Sequence, residues 1–329
     1  MTERPTPPAR RRRVAVLAGG DSPEREVSLN SGRAVTRALT VRGHRARQID
    51  PAVTDPAEID WSLYDAAFLA LHGPYGEDGT IQEILERTGV PYTGSDAATS
   101  RLAFSKSAAK ERFIHHKVPT PPYVLVHSAD ARDRIRAQAE RIGYPLVVKP
   151  DAQGSSIGVT IVPSPAALEA AVAECFRFGS FGLIEKAIIG TEWTVGMLDD
   201  VLLPACRITS RREFYDYAAK YQDDDTRYEF EFDLPRETVA AIEHAGRDAC
   251  RALGTRGMAR ADLRVDEQLR PWVLEVNTIP GLTDHSLVPK AAARIGLSFG
   301  DLCERALDSA LSPSPRATPR GITAPLATR

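Results

Sequence analysis

Apolar and polar positions along this chain fall into strand-like runs, each closed by a glycine-rich turn or a helical spacing. Val14–Ala18 is an unbroken apolar run ending in Gly19-Gly20, the pattern of a buried parallel strand feeding a loop. The stretch after it keeps Val27, Ala34, Val35 and Leu39 at helical spacing and stops at Gly43. Further strands are predicted near Ala46–Ile49 and Ala66–Leu71, and a helix over Thr80–Thr88. The resulting strand, glycine loop and helix predict a Rossmann-like α/β start, but GxGxxG is absent, so a dinucleotide site is poorly supported.

Helical patterns continue over residues 96–116, and a proline-rich link at 119–123 leads to a strand and a charged helix near 130–142. The run Tyr144–Pro150 carries Lys149 at the end of an apolar strand, where an unpaired ammonium is costly and a phosphate is a plausible partner. The small-residue turn Gly154–Val159 follows; such turns are able to present backbone N–H groups to an anion, although most only reverse the chain. A helix at 164–178 precedes a strand containing Glu185 and Lys186, and Glu192 begins the next strand. Residues 211–234 are charged, aromatic and without clear periodicity, which reads as a long loop and a candidate lid. A helix at 236–253 follows.

The stretch Gly257–Pro289 concentrates the chemistry. Ala259–Val265 and Trp272–Val276 read as a β-hairpin about a turn at Asp266-Glu267-Gln268. Alternation puts Arg260 with Asp262 on one face and Glu275 with Asn277 on one face. If the strands pair, Asp262, Glu275 and Asn277 converge as oxygen ligands beside a guanidinium. An oxygen-only set suits Mg²⁺, which one or two carboxylates hold while phosphates and waters complete the shell. The bland alternative is a solvated surface hairpin, but Val273, Leu274 and Val276 mark the second strand as buried.

Composition narrows the picture in a few places. The length of 329 residues, 43% hydrophobic and 26% charged, suits a soluble globular protein of two or three domains. A net charge of −2 gives no overall field toward nucleic acid or membrane, and no run is long enough to span one. The four cysteines, Cys175, Cys206, Cys250 and Cys303, have no CxxC spacing and read as reduced thiols of a cytoplasmic protein. Residues 1–13 form an arginine-rich arm without the apolar core of a signal peptide, and 313–329 a polar tail; both are expected to be disordered.

Seven motifs occur in order: PEREVSLNSG (23–32), HGPYGEDGT (72–80), VVKPDAQGSSIGV (147–159), LIEK with TEWTV (183–195), FYDYAAKY (214–221), MARADL (258–263) and LEVNTIPGLTDHSLVP (274–289). Together they resemble the D-alanine–D-alanine ligase family of the ATP-grasp superfamily, from about residue 14 to 311. The resemblance implies an ATP-grasp fold of α+β lobes behind a Rossmann-like N-terminal domain, divided at 14–95, 96–188 and 189–312, with the lid at 211–234. It implies ATP-dependent joining of two D-alanines through a D-alanyl phosphate for peptidoglycan precursors, in the cytoplasm, by a homodimer that touches neither nucleic acid nor membrane.

Carried over by position, the resemblance assigns Lys106 and Lys149 to ATP phosphates, Ser156 to ATP, Glu185 with the backbone at Lys186 and Ile188 to adenine, and Glu192 to ribose. It assigns Asp262, Glu275 and Asn277 to two Mg²⁺ or Mn²⁺ ions, and Arg260 with the Gly281 amide to the oxyanion. Glu24, at a helix start where a carboxylate is favoured anyway, would hold the first D-alanine's ammonium in a trio with Ser155 and Tyr221, with His72 alongside. Ser286, the Leu287 amide and Lys220 would receive the second carboxylate, at a helix start after Asp284. The sequence departs from the better-known members at Ala187, where an aromatic is usual, and in the acidic tail of the lid. The rivals are a D-alanine–D-lactate or D-alanine–D-serine ligase, and an ATP-binding regulator without turnover; the Lys220-Tyr221 pair favours the dipeptide.

Overall fold

A computed structural model describes residues 11–209, 226–283 and 286–312. Its first sheet is parallel, with β1 (Arg13–Leu17) between β2 (Arg45–Ile49) and β3 (Ala66–Leu69). Alternate residues of β1 and β3 face opposite ways, and both faces are covered. Val14, Val16 and Phe68 pack with Val35 and Leu39 of α1 (Arg25–Val41), while Leu17 and Leu69 pack with Ile81 and Leu85 of α2 (Thr80–Thr88). Burial on both sides is why these strands read as continuous apolar runs. The first strand begins at Arg13, inside the expected arm, because Arg13 pairs with Arg45 and its side chain with Asp65.

The middle of the chain runs through α3 (Ala97–Phe104) and α4 (Lys106–His115) into a four-stranded antiparallel sheet. Its strands are β4 (Tyr123–His127), β5 (Leu146–Pro150), β6 (Thr160–Val162) and β7 (Phe181–Lys186), in the order β4-β7-β5-β6. Helices α5 (Arg132–Ile142) and α6 (Leu168–Cys175) cover one face through Ile135, Ala139, Leu168 and Ala171. The other face carries Val147, Lys149, Ile161 and Glu185 into a cleft.

A six-stranded sheet closes the other side of that cleft. Its path is β11 (Arg227–Glu229), β10 (Cys206–Thr209), β8 (Gly190–Leu198), β12 (Met258–Asp266) and β13 (Pro271–Asn277), with β9 (Val201–Leu202) on β8. Odd-numbered residues of β8 and β12, among them Val195, Ala261 and Leu263, pack beneath α7 (Arg236–Leu253). Even-numbered Glu192, Asp262 and Arg264 therefore face the cleft. Helices α8 (Leu287–Arg294) and α9 (Phe299–Leu311) return to the first sheet, where Val288, Leu302 and Leu307 join its core.

The expected loop at 211–234 is corrected at its C-terminal end. Residues 227–229 form β11 in register with β10, and Phe230, Phe232 and Leu234 pack against the cores. Tyr228, Phe230, Phe232 and Leu234 alternate with acidic residues, the signature of a half-buried extended segment. Residues 210–225, with Lys220 and Tyr221, and Asp284 lie outside the described residues.

The passage from the middle sheet to the last one turns on Gly190, whose φ is +150°. A Cβ there would stand 1.9 Å from the Val265 carbonyl oxygen, and backbone of a central strand cannot retreat. Gly190→Ala is expected to lower the unfolding free energy by about 3 kcal/mol, read as a shift of the urea midpoint at constant slope. An unchanged midpoint would show that this joint has slack.

Candidate active site

The hairpin β12–β13 pairs as its alternation requires: Asp262 lies opposite Glu275 and Arg260 opposite Asn277. One irregularity adds to the pattern. The register shifts between Asp262 and Leu263, whose partners are Glu275 and Val273, so Leu274 is an extra residue on β13. A bulge re-aims side chains, and here both Leu274 and Glu275 line the cleft while Val273 and Val276 stay buried.

Each acid meets a cation. Arg260 grips Asp262 with two bonds of 2.8 Å, from Nε to Oδ1 and from NH2 to Oδ2. Thr194 Oγ1 donates to Asp262 Oδ1 at 2.8 Å and Asn277 Nδ2 to Oδ2 at 3.0 Å. Lys106 Nζ stands 3.3 Å from Glu275 Oε2. Two carboxylates and an amide oxygen make a hard donor set that fits Mg²⁺, whose shell substrate phosphates and water would complete. Among the described residues no three Asp, Glu, His or Cys side chains form a metal cluster, so the set falls short of an all-protein cage.

Lys106 owes its place to Asp151, at the exit of β5. Asp151 Oδ1 accepts from Ser107 N at 2.7 Å, its Oδ2 from Ser105 Oγ at 2.8 Å, and its carbonyl from Lys106 N at 3.0 Å. The start of α4 is thereby tied to the glycine loop, and Lys106 Nζ also donates to the Gln153 carbonyl. In that loop Ser155 and Ser156 both have positive φ, +50° and +59°, a costly conformation for consecutive non-glycine residues. Two amides of the expected anion nest turn inward, Ile157 to Gly154 and Val159 to Ser156. Ser156 lines the cleft between the sheets, while Ser155 lines a smaller neighbouring pocket.

That pocket combines strand residues of the last sheet with a helix start and loops that adjoin the other two. Glu24 sits at the N-terminus of α1 but makes no capping bond with its side chain; its Oε1 instead accepts from Ser155 Oγ at 2.5 Å. Gly73 permits the approach, since a Cβ there would be 3.0 Å from Glu24 Oε2. Arg25 and Asp50 shape the loop before it. Asp50 Oδ1 accepts from Gly20 N at 3.0 Å, and Arg25 bonds both Asp50 and the Gly20 carbonyl. Buried His72 has Nε2 3.3 Å from Ser31 Oγ. Arg260, Gly281, Ser286 and Leu287 line the same space, and Glu275 lines both it and the larger cleft. Ser286 precedes α8 without a side-chain capping bond to its amides, its Oγ accepting from Thr283 N at 2.9 Å.

At the other end of the cleft, Arg264 donates from Nε to the Ile188 carbonyl at 3.3 Å and stands 3.6 Å from Glu192. Lys186 Nζ turns away, onto the Gly143 and Tyr144 carbonyls at 2.9 Å. Ala187 is buried in the wall. Glu185 lies between two lysines: Oε1 accepts from Lys149 at 2.7 Å, and Oε2 is 3.0 Å from Lys110. Sequence reasoning missed Lys110, Asp151, Asp50 and Thr120. The signal for Lys110 is its spacing, four residues after Lys106 on one helix face, where like charges repel unless anions receive them.

The chain matches the family model described as D-ala D-ala ligase C-terminus over residues 113–308, and D-ala D-ala ligase N-terminus over 42–95. The chain belongs to the D-ala D-ala ligase family. It is 42% identical over 300 residues to the D-alanine–D-alanine ligase of Gloeobacter violaceus, covering 91% of this chain and 99% of that one. The ligase of Alkalilimnicola ehrlichii is 46% identical over 295 residues, covering 90% and 93%. A crystal structure of the Bacillus anthracis ligase complexed with ATP superposes with a TM-score of 0.80 at 31% identity, over 91% of this chain and 97% of that one. These relatives carry the ATP-grasp fold with an N-terminal domain, as the three sheets do here. No helix among the described residues is long and apolar enough to cross a membrane.

Burial raises the Glu185 pKa, but Lys110 and Lys149 outweigh it and hold the carboxyl below its ordinary 4.5. Burial pushes Lys110 down to about 8 against the pull of Glu185, so it stays protonated at neutral pH. A carboxylate with a depressed folded pKa gives stability that is present above the unfolded value and lost as pH falls through the folded one. The stability advantage of the parent over Glu185→Gln is therefore expected to be full between pH 4.5 and about 8, where Lys110 keeps its proton, and to shrink as the pH falls below 4.5. Urea unfolding at stepped pH measures it; an advantage independent of pH would refute the ionised pairing.

Proposed function

We propose that this chain joins two D-alanines into D-alanyl-D-alanine at the expense of ATP, supplying a precursor of peptidoglycan. The single observation carrying this reading is the junction at Glu275. One side chain lines both a cleft walled by Lys106 and Lys149 and a pocket containing Glu24, Arg260 and Gly281. A phosphoryl donor and an amino-acid acceptor bound in these two spaces would meet there.

The chemistry follows from the acceptor. A carboxylate is a poor electrophile, so an oxygen of the first D-alanine attacks the γ-phosphorus and ADP leaves, giving an acyl phosphate. The amine of the second D-alanine then attacks the acyl carbon, loses a proton, and inorganic phosphate departs. In this reading Lys106 and Lys149, with Ser156, bind ATP phosphates. Glu185, Lys186 and Ile188 border adenine, and Glu192 the ribose. Glu24, hydrogen-bonded to Ser155, receives the first ammonium beside His72; Tyr221 would complete that group. Arg260 and the Gly281 amide stabilise the oxyanion, where one donor is typically worth about 3 kcal/mol. Ser286 and the Leu287 amide, at the start of α8, and Lys220 receive the second carboxylate.

Asp262, Glu275 and Asn277 would hold two Mg²⁺ or Mn²⁺ ions, which when bound neutralise charge on the transferring phosphoryl group. Division into units at 14–95, 96–188 and 189–312, residence in the cytoplasm and action as a homodimer belong to the same reading and rest on the family.

Phosphate release with ATP, Mg²⁺ and D-alanine, followed by product mass, tests it. Release that depends on D-alanine and a dipeptide product are expected. With D-lactate present as competitor, a product consisting only of the ester would overturn the choice of second substrate. ATP binding without D-alanine-dependent release would favour a regulator. Glu275→Gln is expected to lower turnover at least about a hundredfold with the fold intact by circular dichroism. A near-parental rate would remove Glu275 from the site.

A further inference from the structure

Helix α4 places two lysines one turn apart, and they do different things. Lys106 lines the cleft. Lys110 is wholly buried, with Nζ 3.0 Å from Glu185 Oε2, 2.6 Å from Thr120 Oγ1 and 3.3 Å from the Pro121 carbonyl. Thr120 and Pro121 take two of its protons as hydrogen bonds, Glu185 holds its charge as an ion pair, and Lys110 itself is not part of the cleft lining. Its influence on the cleft runs through Glu185, whose other oxygen accepts from Lys149 at 2.7 Å. Lys149 and Glu185 line the cleft.

Charge in a buried site makes the consequence large. Lys149 and Glu185 alone are a neutral pair, and a paired ammonium attracts a phosphate weakly. With Lys110 behind the carboxylate, the three groups carry one net positive charge in a low-dielectric setting, where it is poorly screened. We propose that Lys110 is a positioning residue for phosphate recognition. By engaging the second oxygen of Glu185, it lets Lys149 meet a nucleotide's phosphates as a net positive group rather than as half of a neutral pair. The inference rests on the reading of this cleft as the nucleotide site and adds a residue to it.

A merely structural role is the competing account. Thr120 Oγ1, which receives Lys110, donates to the Val273 carbonyl at 2.8 Å, and Val273 N donates to the Pro119 carbonyl at 2.8 Å. Lys110 thus also fastens α4 to the link between the sheets. Losing that fastening would lower stability and weaken all ligands alike. It would not change the preference for a phosphorylated nucleoside over a bare one.

The test is the ratio of adenosine to ADP dissociation constants, measured on the full chain by displacement of a fluorescent nucleotide. Lys110→Met is expected to lower that ratio about tenfold, mostly by weakening ADP. Adding Glu185→Gln to Lys110→Met is expected to restore most of it, because the carboxylate that neutralises Lys149 is gone. Contact between Glu185 and adenine affects both ligands and cancels in the ratio. If Lys110→Met does not fold, Glu185→Gln alone decides: the proposal requires its ratio to equal or exceed the parent's. An unchanged ratio in Lys110→Met, a double variant no better than the single, or a reduced ratio in Glu185→Gln would overturn it. A parent that binds neither ligand would instead overturn the nucleotide reading, and the proposal with it.

Discussion

The placement of Asp262 directly opposite Glu275 on paired strands is the constraint from which the rest of the site follows. Two carboxylates on adjacent strands and one face repel each other, and like charges directly across a ladder are destabilising. The chain answers with cations from separate elements: Arg260 on the same strand, and Lys106 from the start of α4. Breaking a partly buried pair on one side leaves an uncompensated charge. The cluster is therefore stable only as a set, and a ligand carrying both signs is well suited to exchange partners with it.

Holding the set together takes parts far apart in sequence. Asp151 fixes the start of α4 to the loop after β5, and Ser155 in that loop reaches Glu24 at the start of α1. The two left-handed serines make this possible, since consecutive residues then serve different pockets. Backbone strain of this kind survives only where its surroundings over-determine it. Here the surroundings are the Asp151 bonds on one side and the Glu24 bond on the other. Gly73 completes the fit by leaving room for the Glu24 carboxylate.

Much of this was legible in the residues. Apolar runs at Val14–Ala18 and Leu146–Val148 are strands because both faces, or one face and a cleft wall, exclude water. The hairpin was readable because alternation is a local property of β12 and β13. The bulge at Leu274 was not, since it depends on which residue of β12 each residue of β13 meets. Nor was the role of Lys110, which sits in a polar stretch and looks solvated. Its burial requires Thr120, just past the end of its helix, and Glu185, which is far from it in sequence. The exit of the expected lid was misread for another reason: the aspartates before Thr226 hid the clean alternation from Tyr228 to Leu234. Glu24 could be read as a helix-start carboxylate or as a ligand; its side chain makes no capping bond and accepts from Ser155, a contact that no local pattern announces.

Charge balance decides how the cleft attracts a polyanion. Its lining holds four cations, Lys106, Lys149, Lys186 and Arg264, against four carboxylates, Glu185, Glu192, Asp262 and Glu275. Taken alone, that wall is neutral. Lys186 is further committed to two backbone carbonyls, so its charge is directed away from the cleft. The excess comes from groups outside the lining, Arg260 against Asp262 and Lys110 against Glu185. Each holds a carboxylate and thereby frees the charge in front of it. A cleft arranged in this way keeps its ligand-facing lysines in place by pairing them, yet leaves their field uncancelled. Mobile surface lysines, screened by salt and water, cannot combine those two properties.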